Sequence, residues 1–322
     1  MRTQIPFAVL AVAFAYTFAT APAHARARVF VASYGDDANP CTFGSPCKTF
    51  QHAHDVVDAG GEVTAIDSAG FGPIKITKAV TITSPPGVEA GIVPTGAGSA
   101  IFINVPAADA VVLRGLTLNG SGVGGTGIVF SGGASLTVID CVVQNFVFDG
   151  IDFSPSNAAG NLSVTNTATI HNGRAGIDVS PFGSGVVESV FNHVQASTNG
   201  DSGIILDGTS STGTVNGAVY ESVAAANGVN LSGLGGEGFL VFSDTGQAPT
   251  TLMVFHSASV NNNNGILAQG TGAKVRIANS TITGNNNLSW GGISSGVVVS
   301  YGDNYIDGNG DGDPTPPATP RK

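Results

Sequence analysis
The feature that most narrows the fold is an internal repeat. A unit of glycine, Ile or Phe, a variable residue and an apolar residue begins at Gly127, Gly150, Gly176, Gly203, Gly238, Gly265 and, more loosely, Gly292. The spacings are 23, 26, 27, 35, 27 and 27 residues. A second column keeps step with it, at Val138-Ile139-Asp140, Val164-Thr165-Asn166, Val190-Phe191-Asn192, Val219-Tyr220-Glu221, Val254-Phe255-His256 and Ile277-Ala278-Asn279. Asparagines at Asn172, Asn199, Asn227, Asn262 and Asn285 close most units. A period of this length marks a solenoid. Three short alternating strands cannot bury their apolar sides as a flat sheet, but they can when coil is stacked on coil. The expected fold is therefore all-β and single-domain: a parallel β-helix of three parallel sheets and about ten coils, advancing about 4.8 Å per coil.

Alternation along each strand sends Ile151, Phe153, Ile177, Val179, Ile204 and Leu206 inward. It leaves Val129, Asp152, Asp178, Ile205, Leu240, Leu267 and Ser294 facing outward. Asn tolerates left-handed backbone, so the recurring asparagines read as corner formers. Replacing one is expected to cost far less than a core change such as Ile177→Asp.

Composition removes the competing classes. Glycine supplies 46 of 322 residues without a three-residue period, which excludes collagen. Only 11% of residues are charged, too few for a disordered chain. A doubly wound α/β chain needs a crossover helix between parallel strands, and no stretch after Ala59 has that character. The formal charge is −10, from 12 Lys and Arg against 22 Asp and Glu. Nucleic acid is thereby excluded as a partner, because phosphate binding needs clustered cations.

The ends of the chain read differently from its middle. Residues 1–25 have the pattern of an export leader: Arg2, an apolar run from Ile5 to Phe18, and Ala23-His24-Ala25 as a cleavage site. The expected location is secreted, periplasmic or cell-surface, with no membrane span after the leader is removed. Residues 26–61 form a cap segment, 62–309 the β-helix and 310–322 a Pro-rich disordered tail. Cys41 and Cys47, six apart in a Pro/Gly-rich loop, are expected to form a local disulfide in an oxidising compartment. Cys141 lies in an apolar strand as a small hydrophobe. Asp307-Gly-Asn309-Gly-Asp311-Gly-Asp313 resembles the start of a calcium loop but has Ala318 where the twelfth-position Glu belongs.

On these repeats the chain resembles the right-handed parallel β-helix proteins of the pectate-lyase-like superfamily, from about Arg28 to about Asn309. Its entry is similar as well, in the stretches Val29 to Asp37, Ser45 to Gln51 and Ile74 to Ile82. The resemblance implies an amphipathic helix plugging the first coil, for which Phe50, Ala53, Val56 and Val57 have suitable spacing. It also implies that ligands lie along the outer face of the strands in the Gly-Ile units.

Two carboxylates stand out on that face. Asp152 and Asp178 fall on adjacent coils, one strand spacing apart. Such a pair suits a shared proton, a shared calcium ion or paired catalytic carboxylates. Arg174 could neutralise an acidic sugar or developing charge beside them. Asp149, His171, Asp201 and Asp207 come from turns and strand ends nearby. Asp152, Asp178 and Arg174 are the catalytic candidates; Asp152 and Asp178 are the candidate calcium ligands, calcium being the one cofactor suggested. The polygalacturonase elements Asn-x-Asp, Asp-Asp, Gly-His-Gly and Arg-x-Lys are missing, as is the lyase-type Trp-Ile-Asp-His. The expected function is therefore an extended surface for glycan or protein contact without turnover. The alternative is a polysaccharide lyase or glycoside hydrolase. The 35-residue interval implies an insertion near Gly228 to Gly236, containing Leu231 and Leu234 and walling that face. Ile205, Leu240 and Leu267 beside it would form an outward apolar strip suited to self-association.

Overall fold
The computed structural model describes residues 27–156, 159–228, 233 and 235–321. The leader expected over 1–25, and Leu231 and Leu234 of the insertion, lie outside them. Short strands feed three sheets of eleven, nine and ten members. The eleven-stranded sheet runs from Arg28–Val31 to Val297–Ser300. The nine-stranded sheet runs from Ile74–Ile76 to Leu288–Ile293, and the ten-stranded sheet from Ala69–Gly70 to Tyr305–Asp307. Neighbours pair in parallel with the register that the repeat implies, as in Ile151 with Ile177 and Ile177 with Ile204. The chain is thus a right-handed parallel β-helix, all-β and single-domain.

The core is a file of layers. Phe130 stacks on Phe153 at 4.6 Å between ring centroids, and Ile151, Ile177, Val179 and Leu206 are fully or almost fully buried with them. Cys141 belongs to this interior, and burial pushes its thiol up to about 11, so it stays an inert apolar side chain. The repeated glycines are explained by close approach. A Cβ on Gly150 would sit 2.6 Å from the carbonyl oxygen of Gly176, and one on Gly176 would sit 2.7 Å from that of Gly203. Before the first coils, a helix of Phe50–Val56 begins at Thr49, whose Oγ1 accepts from the His52 amide at 3.1 Å. Phe50 packs on Phe71, with ring centroids 5.0 Å apart. A disulfide joins Cys41 to Cys47.

Two registers differ from the sequence reading. Val164 and Val219 both pair with Phe191, so the column passes through Phe191 and its corner residue is His193 instead of Asn192. The displaced Val190 is 44% exposed. In the last unit Ile266 pairs with Trp290 and Leu267 with Gly291, which moves the repeat from Gly292 back to Ser289. Ser294 therefore falls beyond the strand, at φ 51. In the first case two apolar side chains, Val190 and Phe191, stand side by side, and burial of the ring decides between them.

The role of the asparagines also changes. The left-handed residue of each corner is the one before, at His171, Thr198, Ala226, Asn261 and Gly284, with φ between 55 and 67. Asn172, Asn199, Asn227, Asn262 and Asn285 instead turn inward and are at most 2% exposed. The Oδ1 atoms of Asn199, Asn227, Asn262 and Asn285 each accept the backbone amide and the Nδ2 of the Asn on the preceding coil, at 3.0–3.1 Å for Asn172 on Asn199 and Asn199 on Asn227, while Asn172 Oδ1 starts the ladder by accepting the Phe146 amide at 3.3 Å. Each Nδ2 also donates to a strand carbonyl, such as Asn227 to Ala196 at 2.9 Å. The ladder continues through Asn309 and stops at Asp313, whose Oδ1 accepts from the Asn309 amide at 2.9 Å and its Nδ2 at 2.8 Å.

The segment expected to be a disordered tail is therefore a correction too. Beyond Asp313 it lies over the last coil, with Ser300 and Ala318 in a parallel bridge and Trp290 Nε1 donating to the Pro314 carbonyl at 2.6 Å. Polar edge groups of the final strands supply the partners that its prolines leave free.

These bonds reverse the expectation that asparagine replacements are cheap. Asn227→Ala leaves the buried donors of Asn199 unpaired, and should cost about 3 kcal/mol or more. Asn166→Gly, at an exposed left-handed corner, should stay within about 0.5 kcal/mol. Urea unfolding midpoints of the two variants and the parent measure the difference.

Candidate functional site
The outer face of the nine-stranded sheet is the floor of the site. Its outward residues stand in one parallel file: Val129, Asp152, Asp178, Ile205, Leu240, Leu267 and Gly291. Asp152 and Asp178 are direct register partners, as the repeat implied. They lie about one strand spacing apart, at roughly 4.8 Å. Loops before and after these strands carry Phe148 and Phe182, which are 50% and 48% exposed.

Arg174 and Asp149 complete the cluster. Asp149 is buried on the turn before its strand; its Oδ1 accepts the Ala175 amide at 3.0 Å and its Oδ2 accepts from Arg174 Nη1 at 3.1 Å. Arg174 Nη2 lies 3.9 Å from Asp178 Oδ2, a weaker contact. Its side chain remains 54% exposed, so the guanidinium faces solvent over an acidic floor. Asp152 Oδ1 and Asp178 Oδ1 are both buried and have no hydrogen-bond partner. Asp149 is the principal partner of Arg174. The signal was available, since it precedes the Gly150 unit just as Arg174 and Ala175 precede the Gly176 unit.

Burial controls the charge of all three acids. Removal from water pushes Asp178 up to about 7, the charges of Asp149 and Asp152 push the same way, and Arg174 opposes them. Burial also raises Asp152, against a Ser154 hydrogen bond and Arg174. It raises Asp149 even though that carboxylate has a guanidinium and an amide on it. Near neutral pH Asp178 is therefore only partly ionised, where an exposed aspartate would be fully so.

The other candidates do not join it. His171 lines an open depression of about 490 Å³ at the next corner, with Asn119, Asn145 and Phe146. Asp201 Oδ1 accepts the Gly236 amide at 3.0 Å, and Asp207 Oδ1 accepts the Thr209 amide at 2.8 Å. Of the outward apolar strip, Ile205 is 8% exposed, Leu267 fully buried and Leu240 half-buried. The described part of the insertion is tied to the start of the neighbouring strand, where the Gly233 and Gly235 carbonyls accept from Asn263 and Asn264 at 2.7–3.0 Å. In the Asp307 to Asp313 run, Asp311 accepts from Ser289, and Asp313 from Gly308 and Asn309, so these two carboxylates close the last coil.

The raised pKa of Asp178 fixes the sign of a stability effect. An ordinary aspartate titrates at 3.8, and this one at about 7 in the fold, so the folded chain keeps the proton between those values. Its contribution is complete below the lower value and is lost as pH rises through the upper. Stability should fall by an amount on the order of a few kcal/mol across that window, and Asp178→Asn should flatten the fall. Thermal unfolding of parent and variant from acid to mildly alkaline pH reads it out.

Comparison with known proteins bears on the scaffold. No protein-family model matches the chain, and no curated protein matches it. Among solved structures it is similar to pectate lyase Pel9A, with a TM-score of 0.64 at 16% identity over 85% of this chain and 74% of that one. Weaker similarity extends to a rhamnogalacturonan lyase, with a TM-score of 0.47 at 14% identity, covering 84% of this chain and 75% of that one. The A-module of Azotobacter vinelandii mannuronan C-5 epimerase AlgE4 gives a TM-score of 0.49 at 14% identity, covering 82% of this chain and 91% of that one. Among the described residues no helix is long and apolar enough to cross a membrane. With its three parallel sheets, inward-stacked layers and similarity to pectate lyase Pel9A, the chain has a right-handed parallel β-helix fold.

Proposed function
We propose that this is an exported β-helix protein that holds a polysaccharide strand along the outer face of its nine-stranded sheet. The observation that carries the reading is the unpartnered pair Asp152 Oδ1 and Asp178 Oδ1, on the floor beside the half-exposed Arg174. Buried carboxylate oxygens call for donors, and sugar hydroxyls supply them. Arg174 offers a planar fork to an acidic sugar, while Phe148 and Phe182 offer exposed rings at the two ends of the strands. Export rests on the leader pattern of residues 1–25.

A second reading, turnover of that polysaccharide, is favoured by one observation. Asp178 is held near neutrality at about 7, where a carboxyl can give up or take a proton at working pH. Asp152 and Asp149 would then stabilise charge, with Arg174 neutralising the substrate. Calcium fits the same oxygens, since carboxylates are its preferred ligands, although Arg174 would compete with it. Asp149, Asp152 and Asp178 would hold the ion, which supplies positive charge against an acidic sugar.

Incubation with pectate, alginate and neutral polysaccharides, with and without calcium, separates the readings. Retardation of a polysaccharide in affinity electrophoresis, weakened in Arg174→Ala, is the result expected of the first. Steady release of reducing ends or unsaturated product, abolished in Asp178→Asn, would establish turnover. Loss of neither binding nor product in Asp152→Asn, Asp178→Asn and Arg174→Ala would remove the cluster from function.

A further inference from the structure
Where the eleven-stranded sheet passes to the ten-stranded one, one residue per coil takes left-handed backbone. These are Asp140, Asn166, His193, Glu221, His256 and Asn279, with φ between 45 and 55. Asp and Asn suit such a corner. The three central coils instead present two imidazoles with a carboxylate between them. Glu221 Oε2 lies 2.9 Å from His193 Nε2, and Glu221 Oε1 lies 3.7 Å from His256 Nδ1. The three side chains are 56%, 49% and 58% exposed, so as ion pairs they add little to stability. They line an open depression of about 390 Å³ with Ser222, Ser257 and Asn279.

We propose that His193, Glu221 and His256 form a binding site for a divalent transition-metal ion of the zinc type. Imidazole nitrogen and carboxylate oxygen are the donors such an ion takes when thiolate is absent. Ligand atoms around a tetrahedral zinc, bonded at about 2.0–2.1 Å, stand about 3.3 Å from one another. The two nitrogen-to-oxygen separations, 2.9 and 3.7 Å, run to the two different oxygens of Glu221, and as placed no single choice of ligand atoms brings all three residues within 4.8 Å of one another, so a shared ion requires the rings to turn toward it. His193 and His256 are two strand spacings apart, about 10 Å between backbones, with Glu221 midway. Their rings close on one ion by side-chain rotation, which their exposure permits. The backbone beneath them is already fixed, since each amide donates to the next coil: His193 to Tyr220 at 3.2 Å, Glu221 to Phe255 at 3.4 Å and His256 to Ala278 at 3.1 Å. The fourth position opens to solvent and to water. Cys41, Cys47 and His52 also lie close together, but their thiols are consumed by the disulfide. The site is independent of the Asp152 and Asp178 face, whose all-oxygen donors suit a harder ion.

The test uses the untagged, metal-stripped full chain titrated with Co²⁺ and followed by visible absorption, then challenged with Zn²⁺. His193→Asn and His256→Asn install the residue that stands at this same corner in neighbouring coils, so they fit the left-handed backbone; Glu221→Gln keeps its length. A single equivalent of Co²⁺ with tetrahedral absorption, displaced by Zn²⁺, is the expected result. Each of the three variants should lose at least about tenfold in affinity, since even supporting groups around a metal contribute that much. His171→Asn should bind as the parent does. Absence of Co²⁺ binding, equal binding by the three variants, or loss of binding in His171→Asn would each overturn the site.

Discussion
Every side chain of consequence here is placed by a backbone hydrogen bond to the next coil. In a parallel solenoid those bonds repeat at one strand spacing, so residues at equivalent positions stand directly above one another. The consequence is strict. A residue type that can pair with its own kind stabilises the stack, and one that cannot becomes a source of strain or of function. Apolar residues meet the condition through packing, as Phe130 does on Phe153. Asparagine meets it through its amide, which donates and accepts at once.

The Asn172 to Asn309 ladder follows from that condition. Its amides accept the backbone N–H of one coil and give their own N–H groups to another, inside a corner where water does not reach. Without them the tight corners would bury unpaired backbone groups. The glycines do complementary work: they let neighbouring coils approach at the start of the nine-stranded strands, where a Cβ would meet a carbonyl oxygen. A small polar ladder and a line of missing side chains together keep the floor strands short and in register.

Architecture was legible in the sequence because the Gly-Ile unit carries both the period and the inward alternation. Asp152 above Asp178 follows directly from counting along it. Position within a unit was less legible where adjacent residues were interchangeable by type. Val190 and Phe191 are both apolar, and only burial of the ring selects Phe191; that choice also exchanges Asn192 for His193 at the corner. Asn residues occur both at left-handed corners, as at Asn166 and Asn261, and in the buried ladder, so residue type alone could not separate the two roles. Covering of Leu267 depends on contacts across the sheet surface, which no local pattern encodes. Neither does proline content reveal that residues after Asp313 find partners on the last coil.

The contrast between amide and carboxylate gives the acidic cluster its meaning. Asp313 ends the asparagine ladder without cost because the last amide needs an acceptor and nothing follows that needs a donor. Asp152 and Asp178 occupy a comparable stacked relation in the middle of a sheet, where an ionised carboxylate can accept from its neighbour but has nothing to give. Stacked in register and withdrawn from water, the pair lowers its energy by keeping a proton, which is the direction in which both acids are shifted. Arg174 opposes that shift only in part, because it is half in solvent and spends its better contact on Asp149. Two oxygens are left with no partner inside the protein. Among the described residues the hydroxyls of Thr169, Ser189 and Ser197 are also buried without partners, but only on the floor beside Arg174 are the unpartnered atoms carboxylate oxygens, which a sugar hydroxyl or a cation can satisfy.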